Sequence, residues 1–399
     1  MKKTVCELFA GVGGFRLGLE KSSKEWQTVW FSQWEPSKTK QWAHSCYVSH
    51  WGDIDEYTGI DISEVPKEHI PNHNLLVGGF PCQDYSVARP LPGSTGIEGK
   101  KGVLWWQIRD VLKVKKPSFV LLENVDRLLK SPASQRGRDF AIMLACFAEL
   151  DYSVEWRVIN AAEYGAAQRR RRTFIFAYKN SSKYAKKISD GPVDIMIQSG
   201  FFASTFPVSD GEKLKESNID YENIPKVSEE YSFSFENAGY MRDGFVHTMK
   251  IIPVQEDSIP LRDILEKDVP EKYYLGENLE KWKYLKGPKK INRKSKDGHE
   301  YVFSEGGIAF PDPVDLPART LLTSESSMNR STHIILDPYT ERLRLLTPLE
   351  TERIQGFEDG WTDMGMPEKF RYFVMGNALV VPMITRMAKT LENIFEDED

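Results

Sequence analysis

The chain has 399 residues, an ordinary globular composition and a net charge of −5, long enough for two structural units with a core each. Its four cysteines, Cys6, Cys46, Cys82 and Cys146, are widely spaced without CxxC or Cys/His metal spacing; this argues against a disulfide framework and a zinc site and fits a reducing compartment. No apolar run is long enough to span a membrane, and Glu7 with the glycines behind it breaks the N-terminal run before a signal-peptide core could form.

From Lys3 to about Tyr178, short β-rich runs alternate with helical patterns. "TVCELFA", "TVWFSQWE", "NLLVGG", "SFVLLENV", "SVEWRVINA" and "RTFIFAY" read as strands. Between them "GGFRLGLEK", "PSKTKQWAHSCYV", "GVLWWQIRDVLKVKK" and "GRDFAIMLACFAEL" carry apolar residues at helical spacing. Strand and helix in turn predict an α/β fold with a mostly parallel, doubly wound sheet over residues 1–180. After Asn180 the alternation fails, and 181–335 reads as a second, smaller unit of mixed structure. Residues 336–399 return to the first unit, with Val380, Val381, Ile384, Met387, Ala388 and Leu391 on one helical face.

Candidate site residues fall at the strand ends. In the first turn, "ELFAGVGGFRLGLE", Gly11, Gly13 and Gly14 let the backbone turn sharply and approach a ligand. Arg16 occupies the sixth position of a GxGxxG fingerprint, so the turn alone is equally compatible with a plain tight turn. Glu35 ends the second strand, where an acidic side chain can accept both ribose hydroxyls, and the pair suggests a nucleoside cofactor. Asp53 in "WGDI" is placed either to accept from an adenine amino group or to cap a loop. In "GGFPCQDYS", Cys82 stands where a buried strand runs out into a loop, the edge at which open α/β sheets bind ligands. Glu123 leaves the fully apolar "SFVLL" close in the sheet to that strand, placed as a proton donor or, with Asn124, as a helix cap. In "AAQRRRRTFIF", strand alternation sends Arg170 and Arg172 to one face.

These pieces, "FAGVGGF", Glu35, "GDI", "GGFPCQ", "ENV", "QRRRR", "RLRLLTPLETERIQGF" and "VMGNALVVP", occur in the order and rough spacing of the cytosine-5 DNA methyltransferases, which the chain closely resembles over 1–180 and 340–399. The resemblance implies the fold of S-adenosylmethionine-dependent methyltransferases and assigns 181–335 to a target-recognition domain. It implies that Cys82 adds as thiolate to carbon 6 of a flipped-out cytosine in duplex DNA, making carbon 5 an enamine that takes the methyl group of S-adenosylmethionine. Glu123 would hold ring nitrogen 3 and supply a proton, and Arg172 with Arg170 would contact the cytosine carbonyl. Phe9, Gly11, Gly13, Glu35, Asp53, Leu104 and Asn377 would line the cofactor pocket, while Gln83 and Ser86, in the loop that follows Cys82, would meet DNA. The pattern departs from the family at Ala378, where a serine is usual, and at Pro36.

The implied protein is a cytoplasmic, metal-free monomer acting on DNA at the nucleoid, with a cognate restriction endonuclease as a candidate partner. Two alternatives share the scaffold: a tRNA cytosine-5 methyltransferase, which typically has PPCQ where this chain has Phe80-Pro81-Cys82-Gln83, and an inactive DNA-binding relative, which would have lost Cys82 or Glu123. The acidic total argues weakly against nucleic acid, but binding depends on where cations cluster. They cluster in "KWKYLKGPKKINRKSK", where Lys289, Lys290, Arg293 and Lys294 are expected to contact phosphates.

Overall fold

A computed structural model describes residues 1–36, 38–80, 104–188, 191–295 and 298–399. Six strands of the first unit stand where the apolar runs place them: β1 Thr4–Leu8, β2 Gln27–Ser32, β3 Leu75–Gly79, β4 Phe119–Val125, β5 Tyr152–Asn160 and β6 Arg171–Lys179. Three short strands of the next segment follow, β7 Val208–Gly211, β8 Lys215–Asn218 and β9 Ala238–Arg242, then β10 Phe245–Met249 and β11 Ile251–Pro253. One nine-stranded sheet runs in the order β2-β1-β3-β4-β6-β5-β9-β10-β8.

The α/β class is as expected, and over residues 1–180 the sheet is mostly parallel with β6 alone reversed; the strands after residue 180 make the nine-stranded sheet mixed. Strands β2, β1, β3 and β4 are parallel neighbours, whereas β6 lies antiparallel between β4 and β5. The reason is the connection: residues 161–170 hold one 3-10 turn, Ala161–Tyr164, too short for the helical crossover that a parallel return needs. The sheet also continues past residue 180. Strands β9 and β10 form a hairpin whose turn, Asp243-Gly244, has φ of 49° and 80°, the left-handed pair that a two-residue hairpin demands.

Period-2 alternation sorts the strand residues onto two buried faces, as expected for a sheet covered on both sides. Val5, Leu75, Val77, Phe119 and Leu121 join helix α1, Gly14–Ser22, and the C-terminal helix Val381–Asp397 in one core. Cys6, Leu8, Leu76, Val120 and Leu122 join α3, Leu104–Lys115, and α4, Arg138–Glu149, in the other. Helix α2, Trp42–Trp51, contributes Ala43 and Cys46 to the first. A smaller core unites Leu261, Leu265, Ala318, Leu321 and Ile335 with Leu346 and Ile354 of the C-terminal segment. A separate two-stranded antiparallel ribbon is formed by β12 Lys289–Lys294 and β13 Glu300–Glu305. A last pair, β14 Ile334–Leu336 and β15 Leu343–Leu345, leads back to the first unit.

The strand order reverses between β1 and β3: the chain steps from β1 outward to β2, then crosses to the other side of β1. That reversal opens a crevice at the carboxyl ends of the strands, where open α/β sheets bind ligands.

Candidate active site

The first turn leaves β1 at this crevice. Phe9 has φ of 55°, a left-handed conformation that costs a non-glycine residue on the order of 1 kcal/mol. The backbone N–H of Gly11 donates to Oε1 of Gln33 at 2.7 Å, which ties the turn to the exit of β2. At Gly13, φ is 85° and a Cβ would strike the Trp51 ring at 2.2 Å, so only glycine fits. A Cβ on Gly11 would meet nothing within 4 Å, so that side of the turn faces open space. Glu35 stands two residues beyond Gln33, and Gln41 grips its backbone from both sides, accepting from its N–H at 2.6 Å and donating to its carbonyl at 3.0 Å. The Glu35 carboxyl is half-buried with its pKa raised by desolvation, and Oε2 is fully buried without a protein donor. Asp53 lies on the exposed rim, accepting from the hydroxyl of Thr58 and the N–H of Ile54. Phe9 and Leu104 are half-buried against the same core, and Leu379, two residues past Asn377, packs against Gly14. Phe9, Gly11, Gly13 and Glu35 thus lie at the carboxyl ends of β1 and β2, with Asp53 tied to them through Thr58, whose carbonyl accepts from the N–H of Gln33.

The second half of the crevice is built from β3 and β4. Gly79 pairs in register with Glu123, and a Cβ on Gly79 would sit 3.3 Å from Glu123 Oε2, so the carboxylate lies over the end of the strand that leads to Cys82. Its other oxygen, Oε1, holds Nε of Arg172 at 2.8 Å in a largely buried ion pair. Asn124 donates from Nδ2 to the carbonyl of Phe80 at 3.0 Å, fixing the backbone just ahead of the cysteine. Cys82, Gln83 and Ser86 themselves lie outside the described residues.

Arg170 stands one residue ahead of β6, where the N–H of Ala161 still donates to its carbonyl at 3.1 Å, and unlike Arg172 it is fully buried. Its guanidinium is fully buried, donating to the carbonyls of Leu321 at 3.1 Å and Gly376 at 3.0 Å. Desolvation and the neighbouring Arg172 push its pKa down to about 9. Arg170 is therefore a strut joining the segment around Leu321 to the helix Glu368–Asn377, beside the Glu123–Arg172 pair.

The described thiols are poor nucleophile candidates. Cys6, Cys46 and Cys146 are all buried; desolvation raises Cys6 strongly and pushes Cys46 and Cys146 up to about 12, the signature of inert core cysteines. Among the described residues no group of His, Cys, Asp or Glu is placed to hold a metal ion, and no helix is long and apolar enough to cross a membrane.

A family model of C-5 cytosine-specific DNA methylases matches residues 3–393, nearly the whole chain. This chain belongs to that family. The methylase is 52% identical to the Type II methyltransferase M.Sau3AI of Staphylococcus aureus, over 98% of this chain and 96% of the relative. It is 33% identical to the Type II methyltransferase M.HhaI of Haemophilus parahaemolyticus over 44% of this chain and 48% of that one. Among solved structures, the Entamoeba histolytica methyltransferase EhMeth superposes with a TM-score of 0.60 at 16% identity, covering 100% of this chain and 99% of the other, which shows the shared fold.

Sequence reasoning overlooked the glutamines of the methylase. Gln168 and Gln355, both fully buried, bond to each other at 3.1 Å; Gln168 accepts from the N–H of Leu321, and Gln355 donates to the carbonyls of Met375 and Ala378. This amide chain knits the turn before β6 to the segment around Asn377. Only Gln168, directly ahead of the arginines, carried a sequence signal. In the basic segment, Lys286 is buried and paired with Asp312 at 3.2 Å, and Trp282 is buried, so neither is open to solvent.

Glu7, inside β1, yields a pH prediction. It is fully buried, accepts from the Tyr47 hydroxyl at 3.1 Å and has its pKa pushed up to about 8 by desolvation. Between the ordinary carboxylate range and about 8, the unfolded chain releases this proton while the native state keeps it. Bound protons are then fewer in the unfolded state, so stability falls as pH rises through that window. Glu7→Gln, which mimics the protonated acid, is expected to flatten that fall in urea-unfolding midpoints measured from pH 5 to 8.5. An unchanged slope would show that Glu7 is ionised in the fold.

Proposed function

We propose that this methylase transfers a methyl group from S-adenosylmethionine to carbon 5 of a cytosine flipped out of a specific duplex sequence, through a covalent adduct of Cys82 at carbon 6. The observation that carries this reading is the meeting, at one topological switch point, of the strand that leads to Cys82 with the Glu123–Arg172 pair and the glycine turn. The cofactor pocket fits its group: Glu35 Oε2 is a buried acceptor without a protein donor, as a ribose hydroxyl requires, and the open side of Gly11 leaves room for a ligand against the backbone. Phe9, Gly13, Asp53, Leu104 and Asn377 would complete the pocket. When bound there, S-adenosylmethionine supplies an electrophilic methyl group.

The chain's own residues do the rest. Carbon 5 of cytosine is a weak nucleophile, and thiolate addition at carbon 6 turns it into an enamine terminus. Addition puts electron density onto the ring, which a proton at nitrogen 3 neutralises; Glu123, lying over Gly79 at the strand end, is placed to hold that edge. Arg172 fixes the carboxyl through Oε1 and leaves Oε2 toward the base. Loss of the carbon 5 proton and expulsion of the thiol restore the aromatic ring. Stacking hides the faces of the ring, through which both the thiol and the methyl group must approach, so the nucleotide must leave the helix, with Gln83 and Ser86 of the adjoining loop against the DNA. Residues 181–335 would supply target recognition, although the part up to Pro253 is packed on the catalytic sheet. The names of its relatives support a place as the methyltransferase of a Type II system; in our reading it works on DNA as a monomer in the cytoplasm.

Purified protein with labelled S-adenosylmethionine is expected to methylate carbon 5 of cytosine in duplex DNA and to leave transfer RNA unlabelled. Sequencing 5-methylcytosine in DNA from expressing cells would give the target at the same time. Label on adenine, on transfer RNA alone or on no member of a varied duplex pool would overturn the reading.

A further inference from the structure

The ribbon of β12 and β13 splits the basic run in a way composition cannot show. In an antiparallel pair, directly opposed residues share a face, and successive residues alternate. Lys289 with Glu305, Ile291 with Phe303 and Arg293 with Tyr301 therefore occupy one face. On that face Lys289, Ile291, Phe303 and Glu305 are half-buried, while Arg293 and Tyr301 are exposed. Lys289 donates to the carbonyl of Leu285 at 3.1 Å, and the Arg293 guanidinium stacks 4.0 Å above the Phe303 ring. Lys290 with Ser304, Asn292 with Val302 and Lys294 with Glu300 occupy the opposite face, and all six are exposed.

The composition of the exposed face decides what it can read. Phosphate oxygens are met by cations, hydroxyls, amides and N–H groups, so a surface built for phosphates alone has no use for a carboxylate or an exposed apolar side chain. This one mixes donors (Lys290, Lys294), a side chain with both donor and acceptor (Asn292), a carboxylate (Glu300) and an apolar group. Val302, 60% exposed at its centre, has no role against a phosphate. Against base edges each has one: Asn pairs with adenine, Lys with guanine, a carboxylate with the cytosine amino group, and an apolar side chain with the thymine methyl.

The mounting agrees. A free two-stranded hairpin is at best marginally stable, so it needs a root. The root here is the Lys289–Glu305 end: Arg330 pairs with Glu305 and donates to the carbonyl of Gly306, and the N–H of Ile308 donates to the carbonyl of Lys286 at 2.9 Å. Lys286 is itself buried on Asp312, which also holds Arg319. Six residues per strand give a ribbon of about 20 Å, and a two-stranded ribbon is one of the elements the major groove admits.

Resting on the DNA-methylation reading above, we infer that the Lys290–Asn292–Val302–Ser304 face of this ribbon enters the major groove and reads base pairs of the target, while Lys289 and Arg293 on the other face support it. The test uses the full-length enzyme and a duplex panel holding the cognate site and each of its single-base-pair variants. Asn292→Ala and Val302→Ala, both at exposed positions, are each expected to slow cognate methylation by about 10- to 100-fold. At least one single-pair variant should keep its parental rate, so discrimination at that pair collapses. Arg293→Ala should leave the order of preference unchanged. If Asn292→Ala and Val302→Ala scale every duplex by one common factor, or change none, the ribbon is not the reading element. A parent enzyme that methylates no duplex at all would instead remove the DNA reading itself, a result the panel separates from the first.

Discussion

Cys82→Ala is expected to abolish methyl transfer outright while duplex DNA is still bound with affinity close to the parent's. No other described thiol can take over: Cys6, Cys46 and Cys146 are buried, and each is held protonated by desolvation. Without thiolate addition carbon 5 has no enamine character, and general acid help at nitrogen 3 has nothing to assist. A duplex carrying fluorine at carbon 5 of the target cytosine makes the same point by accumulation. Fluorine cannot depart as a proton does, so the methylated adduct should persist as a protein–DNA species that survives denaturation, and Cys82→Ala should form none. Peptide mapping of the trapped species must end on Cys82. An adduct on any other cysteine, or a Cys82→Ala enzyme that still turns over, would remove the covalent mechanism.

Much of this site was legible in the sequence because its parts sit at strand exits, and strand exits are marked by apolar runs that end in Gly, Pro or charge. Glu35, Glu123 and the glycine turn were found that way, and the structure gathers them at the reversal of strand order. What the sequence did not show for Arg170 is its burial: its guanidinium meets the carbonyls of Leu321 and Gly376, partners more than 150 residues away in the chain.

The strands beyond residue 180 were missed because they do not alternate with helices. Yet "MRDGFV" carried its own signal, since Asp-Gly between β-rich runs marks a two-residue hairpin turn, and β9 and β10 flank it. Positions such as Gln41 and Gln355 gave no sign at all: a buried amide that bonds backbone looks, in sequence, like any surface glutamine. Lys286 is the converse, a cation counted with a basic cluster whose partner, Asp312, lies 26 residues away in the chain.

Glu123→Gln is expected to slow methylation by roughly 10²–10⁴-fold, the usual span for loss of a positioned general acid, with DNA and cofactor binding nearly unchanged. The amide keeps the size and shape of the carboxyl, so the register of Gly79 with residue 123 and the bond from Asn124 to Phe80 should survive. What changes is the group against the base: a carboxyl oxygen that can carry a proton becomes part of an amide that cannot give one up. Arg172 also loses its charged partner at 2.8 Å, so a positioning loss must be separated from a chemical one. Arg172→Lys does this, because it keeps a cation beside Glu123 but lacks the rigid fork that orients the carboxyl. It should cost less than Glu123→Gln and leave the pH profile of kcat near the parent's. The fluorinated duplex then places the step. If Glu123 acts during thiol addition, the covalent species should accumulate more slowly in Glu123→Gln by the same factor as turnover. Trapping at the parental rate with turnover still lost would put Glu123 after addition and overturn its assignment as the proton donor to nitrogen 3.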